Sequence, residues 1–327
     1  MNLWKLRLSM VATLAVIFGL STLVFSIILT LAGVFDLVTI AILVVAFNLV
    51  QWLFSPYLVD AIYRVKEIKQ SENPLLHKIV NDLSKKSGIH TPKIMLSKLS
   101  LPNAFAYGSP ISGNRIAVTE GLLKTLNEGE VAAVIGHELG HLKHRDVQVM
   151  MAVSFLPALF YYIGYSLLFS SMVGGQRRNE NGNPLIGIAF MVFSQFLTLF
   201  TLHVSRLREY YADRHSVAVV DNGATKLSTG LAKIVYANGR AGKTRRSQET
   251  QNLNAFKALF IADPDRAPAD SAALQVYETS ATGQKMVDEI LAKKLTSGDR
   301  LAELLSTHPN IIKRLRALQE LKENPNA

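Results

Sequence analysis

The 327-residue chain contains no cysteine. Disulfides and thiolate-ligated metal sites are therefore excluded, and any metal has to be held by histidine and carboxylate. The absence also fits a reducing compartment. Charge is scarce: 18% of residues are charged against 49% hydrophobic, and the mean hydropathy is +0.21. That is too apolar for an ordinary soluble enzyme. Acidic residues number 25 against 35 basic ones, a net charge of +10. The cations gather near the ends of apolar stretches and along the C-terminal segment, with no recognisable nucleic-acid-binding motif. Membrane topology and anionic lipid account for them better, so membrane lipids are expected partners and nucleic acid is not. The chain carries no internal repeat and no low-complexity tract.

The apolar excess is localised in four stretches long enough for the roughly 20 residues that a hydrocarbon core demands. They run from about Met10 to Val34, Leu37 to Leu58, Val149 to Val173 and Pro184 to Val204. The first follows Lys5 and Arg7, as a cleaved signal peptide would, but it is too long and a second span follows at once, so it reads as an anchor. Lys5 and Arg7, Arg64, Lys66 and Lys69, Lys143 and Arg145, and Arg206 and Arg208 all fall on one side of this arrangement. By the positive-inside rule both termini and the segments between spans two and three and after span four are cytoplasmic, in a multi-pass protein of the cell (inner) membrane.

Four regions follow: two spans within 1–59, a soluble segment 60–148, a span hairpin 149–204 and a second soluble segment 205–327. In the first soluble segment Pro74 opens an amphipathic helix through Lys86, and Gly88 ends it. Pro92 to Leu96 and Arg115 to Thr119 read as strands, and Leu101 to Gly108 as an edge strand or loop. A short helix from Glu120 precedes a longer one running directly into the third span. The second soluble segment is mostly helical, with helices over 286–305 and from Ile311 to Leu321. Asn238 to Ala272 has low pattern and reads as a mobile loop. The expected fold is mostly α with a small β-sheet (α+β), fused to four transmembrane helices.

The chemistry concentrates at His137-Glu138-Leu139-Gly140-His141. Positions four apart stack on one helix face, so His137 and His141 can reach one metal ion while Glu138, about 100° away, borders the open coordination position. A catalytic zinc site usually needs a third protein ligand. His144 lies seven residues from His137, about 10 Å along the helix, too far to share an ion comfortably. Glu209 is the better candidate. With Asp213 it forms an i, i+4 acidic pair that needs a nearby cation, which a metal ion supplies; a salt bridge to Arg206 or Arg208 is the alternative. The hairpin between the third and fourth spans returns Glu209 to the side on which the motif lies.

These residues, with Asp146, Pro102-Asn103-Ala104-Phe105-Ala106, and Ser306-Thr307-His308-Pro309 with Arg314, resemble the membrane-bound gluzincin metallopeptidases that include HtpX and the CAAX prenyl proteases. The likeness covers most of the chain and is greatest to HtpX. It implies a gluzincin-type domain with one zinc ion per chain, held by His137, His141 and Glu209, with Glu138 as general base and endopeptidase activity on misfolded or membrane proteins. It further implies that Asp213 accepts from a ligand imidazole, His137, and that Asn103 and Ala104 bind an extended substrate segment along an edge strand. His308 and Arg314 hold the tetrahedral intermediate by the same resemblance, or else cap and bridge the last helix. The stretch from Asn238 to Gln284 carries no motif of the family.

His77, His90, His203 and His215 read as structural, and Asn48, Gln51 and Gln195 as makers of interhelical hydrogen bonds. Alternative functions are a CAAX-type processing protease, for which four spans are too few, a catalytically silent scaffold, against which Glu138 argues, and a transporter, for which the spans hold almost no ionisable residue. Substrate identity, oligomeric state and regulation are not encoded in any motif of the chain.

Overall fold

The computed structural model describes residues 37–173, 184–244, 261 and 283–324. The first expected span and the loop 174–183 lie outside them. The chain divides into two compact units, one of residues 1–51 and 148–204, the other of residues 52–147 and 205–327. Its described residues are mostly helical with one small mixed sheet.

In the first unit, α1 (Leu37–Ile62) contributes its N-terminal half, and α5 (Asp146–Val173) and α6 (Pro184–Val219) contribute their apolar parts. Their lengths of 26, 28 and 36 residues each exceed the roughly 20 needed for a span. Among the described residues, α6 is the helix both long and apolar enough to cross a membrane, and only 17% of its apolar window is buried, the reverse of a core helix. Gly164 and Gly187 let α5 and α6 meet backbone to backbone, since a Cβ on Gly164 would lie 2.6 Å from the Gly187 carbonyl oxygen. Phe160 stacks on Phe190 beside this crossing, ring centroids 5.6 Å apart.

The second unit is built on a four-stranded sheet of β1 (Val65–Glu67), β2 (Lys93–Ser97), β3 (Ala104–Ser109) and β4 (Gly113–Thr119) in the order β1-β2-β4-β3. β2 runs parallel to β4, the other pairs are antiparallel, and β3 is an edge. Period-2 alternation sends Ile94, Ile116, Val118 and Ala104 into the main core, and Met95, Ala117, Phe105 and Tyr107 into a second core with Val59 and Tyr63. The short β1 was not legible in the sequence pattern, because three residues show no alternation.

The main core joins one sheet face to α2 (Pro74–Ser87), the motif helix α4 (Glu128–Lys143), α7 (Gly223–Thr244) and α10 (Ile311–Glu323). α2 starts where Asn73 accepts from Leu76 N–H and stops at Gly88, whose φ of 69° suits a glycine. α4 follows the short α3 (Glu120–Thr125) and opens with a capping box between Asn127 and Glu130. Buried Glu130 also receives Lys233 Nζ at 2.7 Å, tying α4 to α7.

Three expectations are corrected. The motif helix does not run directly into the next apolar helix: α4 ends at Lys143, His144 caps it, and Arg145 adopts φ 54° before α5 begins. The low-pattern stretch from Asn238 is helical as far as Thr244, within α7. Residues 286–305 form two helices, α8 (Gly283–Ala292) and α9 (Ser297–Leu304), because a capping box of Thr296 with Asp299 restarts the chain. Of the rest of 245–282, the described residue is Ile261, which is buried.

Candidate metal centre

The site forms where α4 crosses the second half of α6. Gly136, Gly140 and Ala133 lie along one side of α4, and Ser216 Oγ donates to the Ala133 carbonyl at 2.6 Å. A Cβ on Gly140 would lie 2.9 Å from Ala212 Cα, so the two helices touch here at backbone distance. Large residues at these positions would hold α6 away. With glycine, Glu209 and Asp213, one turn apart on α6, come level with His137 and His141.

The two imidazoles sit edge to face at 89°, their Nε2 atoms 3.1 Å apart. Glu209 adds its carboxylate, 3.5 Å from His141 Nε2 and 3.7 Å from His137 Nε2. Among the described residues, this trio is the group of ligand-type side chains whose donor atoms fall within 4.8 Å of one another. The Nδ1 atoms are engaged elsewhere: His137 Nδ1 meets Asp213 Oδ1 at 2.8 Å and His141 Nδ1 meets Asp146 Oδ2 at 2.6 Å. Each aspartate fixes the tautomer that leaves Nε2 with a lone pair facing Glu209. Glu209 Oε2 is buried yet accepts no hydrogen bond, and two neutral imidazoles with one carboxylate match the preferences of zinc. Burial, then Arg314, lowers His137 to a pKa of about 4, so it stays neutral as a ligand must.

Neither arginine of the alternative reading pairs with Glu209. Arg206 donates to the carbonyls of Glu303 and Ser306 at 2.8 Å each, and Arg208 pairs with Asp146 and donates to the His144 carbonyl. Arg314 and His308 take that place. Arg314 is buried, donates through Nε and Nη2 to Asp213 at 2.8 and 2.7 Å, and brings Nη1 to 3.1 Å from Glu209 Oε2. His308 Nδ1 lies 3.4 Å from Glu209 Oε1. Burial alone would raise the Glu209 carboxyl, but His308 and Arg314 outweigh it and hold it well below the usual range. The last helix is capped by Asn310 rather than by His308. His144 is exposed at the end of α4, outside the trio.

Glu138 is buried beside the trio, and burial, reinforced by the Glu209 charge, raises its pKa to about 7 against the opposing pull of His141 and a hydrogen bond from Ala106 N–H. On the edge strand, Thr119 N–H donates to the Asn103 carbonyl and Asn103 N–H donates to Thr119 Oγ1. Residues 103 and 119 are thus a hydrogen-bonded pair, so Ala104 and Ala106, alternating with it, turn their main-chain groups away from β4. Asn103 itself is committed inward, its Oδ1 accepting from Ile261 N–H at 3.0 Å. The Ile261 carbonyl in turn accepts from Arg314 Nη1 at 2.8 Å.

Sequence reasoning gave no role to Asp146 or Ile261, and read Arg208 as a topology cation or a partner of Glu209 rather than of Asp146. Asp146 appeared only as part of the family pattern, and the backbone reversal at Arg145 that returns it to His141 has no sequence periodicity. Ile261 stands in a stretch without pattern.

The model of the peptidase family M48 matches residues 70–322, which include each of these side chains. The chain belongs to this family. It is 40% identical over 278 residues to a protease HtpX homolog of Thermoplasma acidophilum, covering 84% of this chain and 82% of that one. To the protease HtpX homolog of Aeropyrum pernix it is 39% identical over 292 residues, covering 86% and 85%. The crystal structure of S. mikatae Ste24p matches with a TM-score of 0.54 and 18% identity, over 97% of this chain and 66% of that one. That likeness is one of fold. Membership in M48 makes the chain a metalloprotease.

Proposed function

We infer that the chain is a membrane-integral zinc endopeptidase that cuts extended segments of misfolded or membrane proteins. The observation that carries this is the convergence of His137 Nε2, His141 Nε2 and the Glu209 carboxylate on one point, with Glu138 buried beside it. These three side chains would hold one zinc ion per chain, supplying Lewis acidity toward a water and a scissile carbonyl. Glu138, with a pKa raised to about 7, takes a proton from the attacking water and delivers it to the leaving amine nitrogen. Asp213 and Asp146 keep the two imidazoles in the tautomer that coordinates. Ala104 offers the outward main-chain edge along which a substrate strand lies, Asn103 braces the start of that edge, and Ala106 gives its main-chain donor to Glu138. His308 faces the forming oxyanion, whereas Arg314, its donors already engaged, holds Asp213 and Glu209 in place.

Four spans, at 10–34, 37–58, 149–173 and 184–204, with both termini and the site on the cytoplasmic side of the cell membrane, complete the reading. The run of basic residues on one side of the apolar stretches supports that orientation. An extended-strand requirement favours unfolded loops and span ends as substrates, since a folded domain has its backbone already paired.

The test is metal analysis of purified protein combined with casein cleavage before and after chelation. Glu138→Gln should keep about one zinc and lose hydrolysis; Glu209→Ala should lose both; Arg206→Ala should keep the metal. A Glu138→Gln enzyme with near-normal turnover would end this mechanism.

A further inference from the structure

Two exposed apolar points of the second unit are each fastened to the residues where a long helix enters that unit. One is α9, an amphipathic helix whose Leu301 and Leu304, three apart and so on one face, are 50% and 53% exposed. It is fastened to the start of the soluble part of α6: Arg206 Nη1 donates to the carbonyls of Glu303, Leu304 and Ser306, and Ser205 Oγ donates to the Thr307 carbonyl at 3.0 Å. The other is the β3–β4 turn, with Ile111 57% exposed at its tip. Ser109 Oγ donates from this turn to the Leu53 carbonyl of α1 at 2.9 Å.

We propose that α9 and the Ile111 turn dip into the headgroup region of the membrane that α6 crosses, seating the second unit on the bilayer surface. Several observations select lipid as the occupant. Exposed Phe196, Phe200, Leu207 and Tyr211 follow intervals of four, seven and four along the single helix α6, so one apolar stripe continues from its spanning part past the anchoring residues Ser205 and Arg206. A tyrosine at the end of such a stripe suits an interface. Lys294 and Arg300, exposed around the start of α9, complement anionic headgroups. The seat would have a consequence at the site, because α9 leads within four residues to His308 and the Ile111 turn ends the substrate edge β3. Membrane contact at both places would hold the edge strand and His308 in register with a substrate arriving along the surface. The proposal rests on the reading that α6 spans the membrane.

The absence of cysteine makes the test direct. Single-cysteine variants of the full chain, Leu301→Cys, Leu304→Cys and Ile111→Cys, are labelled with a nitroxide and placed in nanodiscs containing phosphatidylglycerol. Collision with oxygen, which partitions into lipid, is compared with collision with a water-soluble nickel chelate. Phe196→Cys serves as the control for the span and Leu75→Cys, exposed on α2, as the control for water. The three test labels should favour oxygen over nickel, as the Phe196 label does, while the Leu75 label favours nickel. Test labels that match Leu75 while Phe196 favours oxygen would overturn the seating and leave the span intact. If the Phe196 label favours nickel, the span and the seating fall together. Spin–spin broadening at Leu304 without oxygen access would show a second copy covering the face, which also overturns the proposal.

Discussion

Both histidines of the metal centre carry the same attachment, an aspartate on Nδ1 and an arginine on that aspartate, yet the two chains of contacts live in different surroundings. His137, Asp213 and Arg314 are all within 2% of full burial and join α4, α6 and α10. His141, Asp146 and Arg208 lie at the rim, with side chains 19%, 10% and 18% exposed, and are brought together by the backbone reversal at Arg145. The same three residue types therefore do different work. At the rim, water shares the charge of Asp146, and Arg208 mainly orients it and closes the end of α4 at the His144 carbonyl. In the interior, burial alone would raise Asp213, but Arg314 outweighs it and keeps the carboxyl ionised, and Arg314 is itself held charged by Asp213 and Glu209. Removing one member there strands the others.

The sharpest way to break this contrast is to remove each arginine. Arg314→Met leaves Asp213 and Glu209 buried without their cation and should destabilise the metal-free protein by about 3–5 kcal/mol. Arg208→Met, partly solvated, should lower stability by about 1 kcal/mol or less. Denaturant unfolding in detergent measures both, and equal losses would mean that burial does not distinguish the two chains.

The aspartates come next. Asp213→Asn and Asp146→Asn should each weaken zinc binding by about 10- to 100-fold, with Asp213 at the upper end because no water can replace it. Competition with a chromophoric chelator reads the difference.

Gly140→Ala tests the helix crossing that serves both chains. Overpacking against Ala212 Cα should destabilise by about 1–3 kcal/mol, offset by about 1 kcal/mol of helix propensity. The larger sign is expected in metal content, since α6 carries Glu209 and Asp213. Unchanged zinc affinity in a folded variant would show that the crossing has slack.

The smallest effect concerns His215, packed at the same crossing, with Nε2 2.9 Å from Ser87 Oγ. Burial, then Lys143, His144 and His137, lowers its pKa to about 4. The unfolded chain protonates this histidine near 6.5, the folded one near 4, so stability should fall as pH drops through that window. His215→Gln should flatten part of that slope in thermal melts between pH 7 and 4, with little change above pH 7.

Much of this was legible along the chain. Helical spacing placed His137, Glu138 and His141 on one helix, alternation gave β2 and β4, and Pro74 with Gly88 bounded α2. The i, i+4 pair Glu209 and Asp213 marked α6 as the second half of the site, since two acids on one face of a helix demand a cation. Less visible were the breaks. Arg145 and Thr296 end periodic patterns through single backbone angles or caps, which hydrophobic spacing does not record.

The features readable along the chain are therefore local: the ligand pair, the base, the apolar stretches and the alternating strands, each set by the geometry of one helix or one strand. It took the fold to spend Arg314 on Asp213 and Glu209, and to turn Asn103 inward to Ile261 while Ala104 and Ala106 face out. Those outcomes depend on segments tens to hundreds of residues apart meeting at backbone distance. That approach is set by the space left at Gly136 and Gly140 and by the register of β3 on β4, and neither carries a periodic signal along the chain.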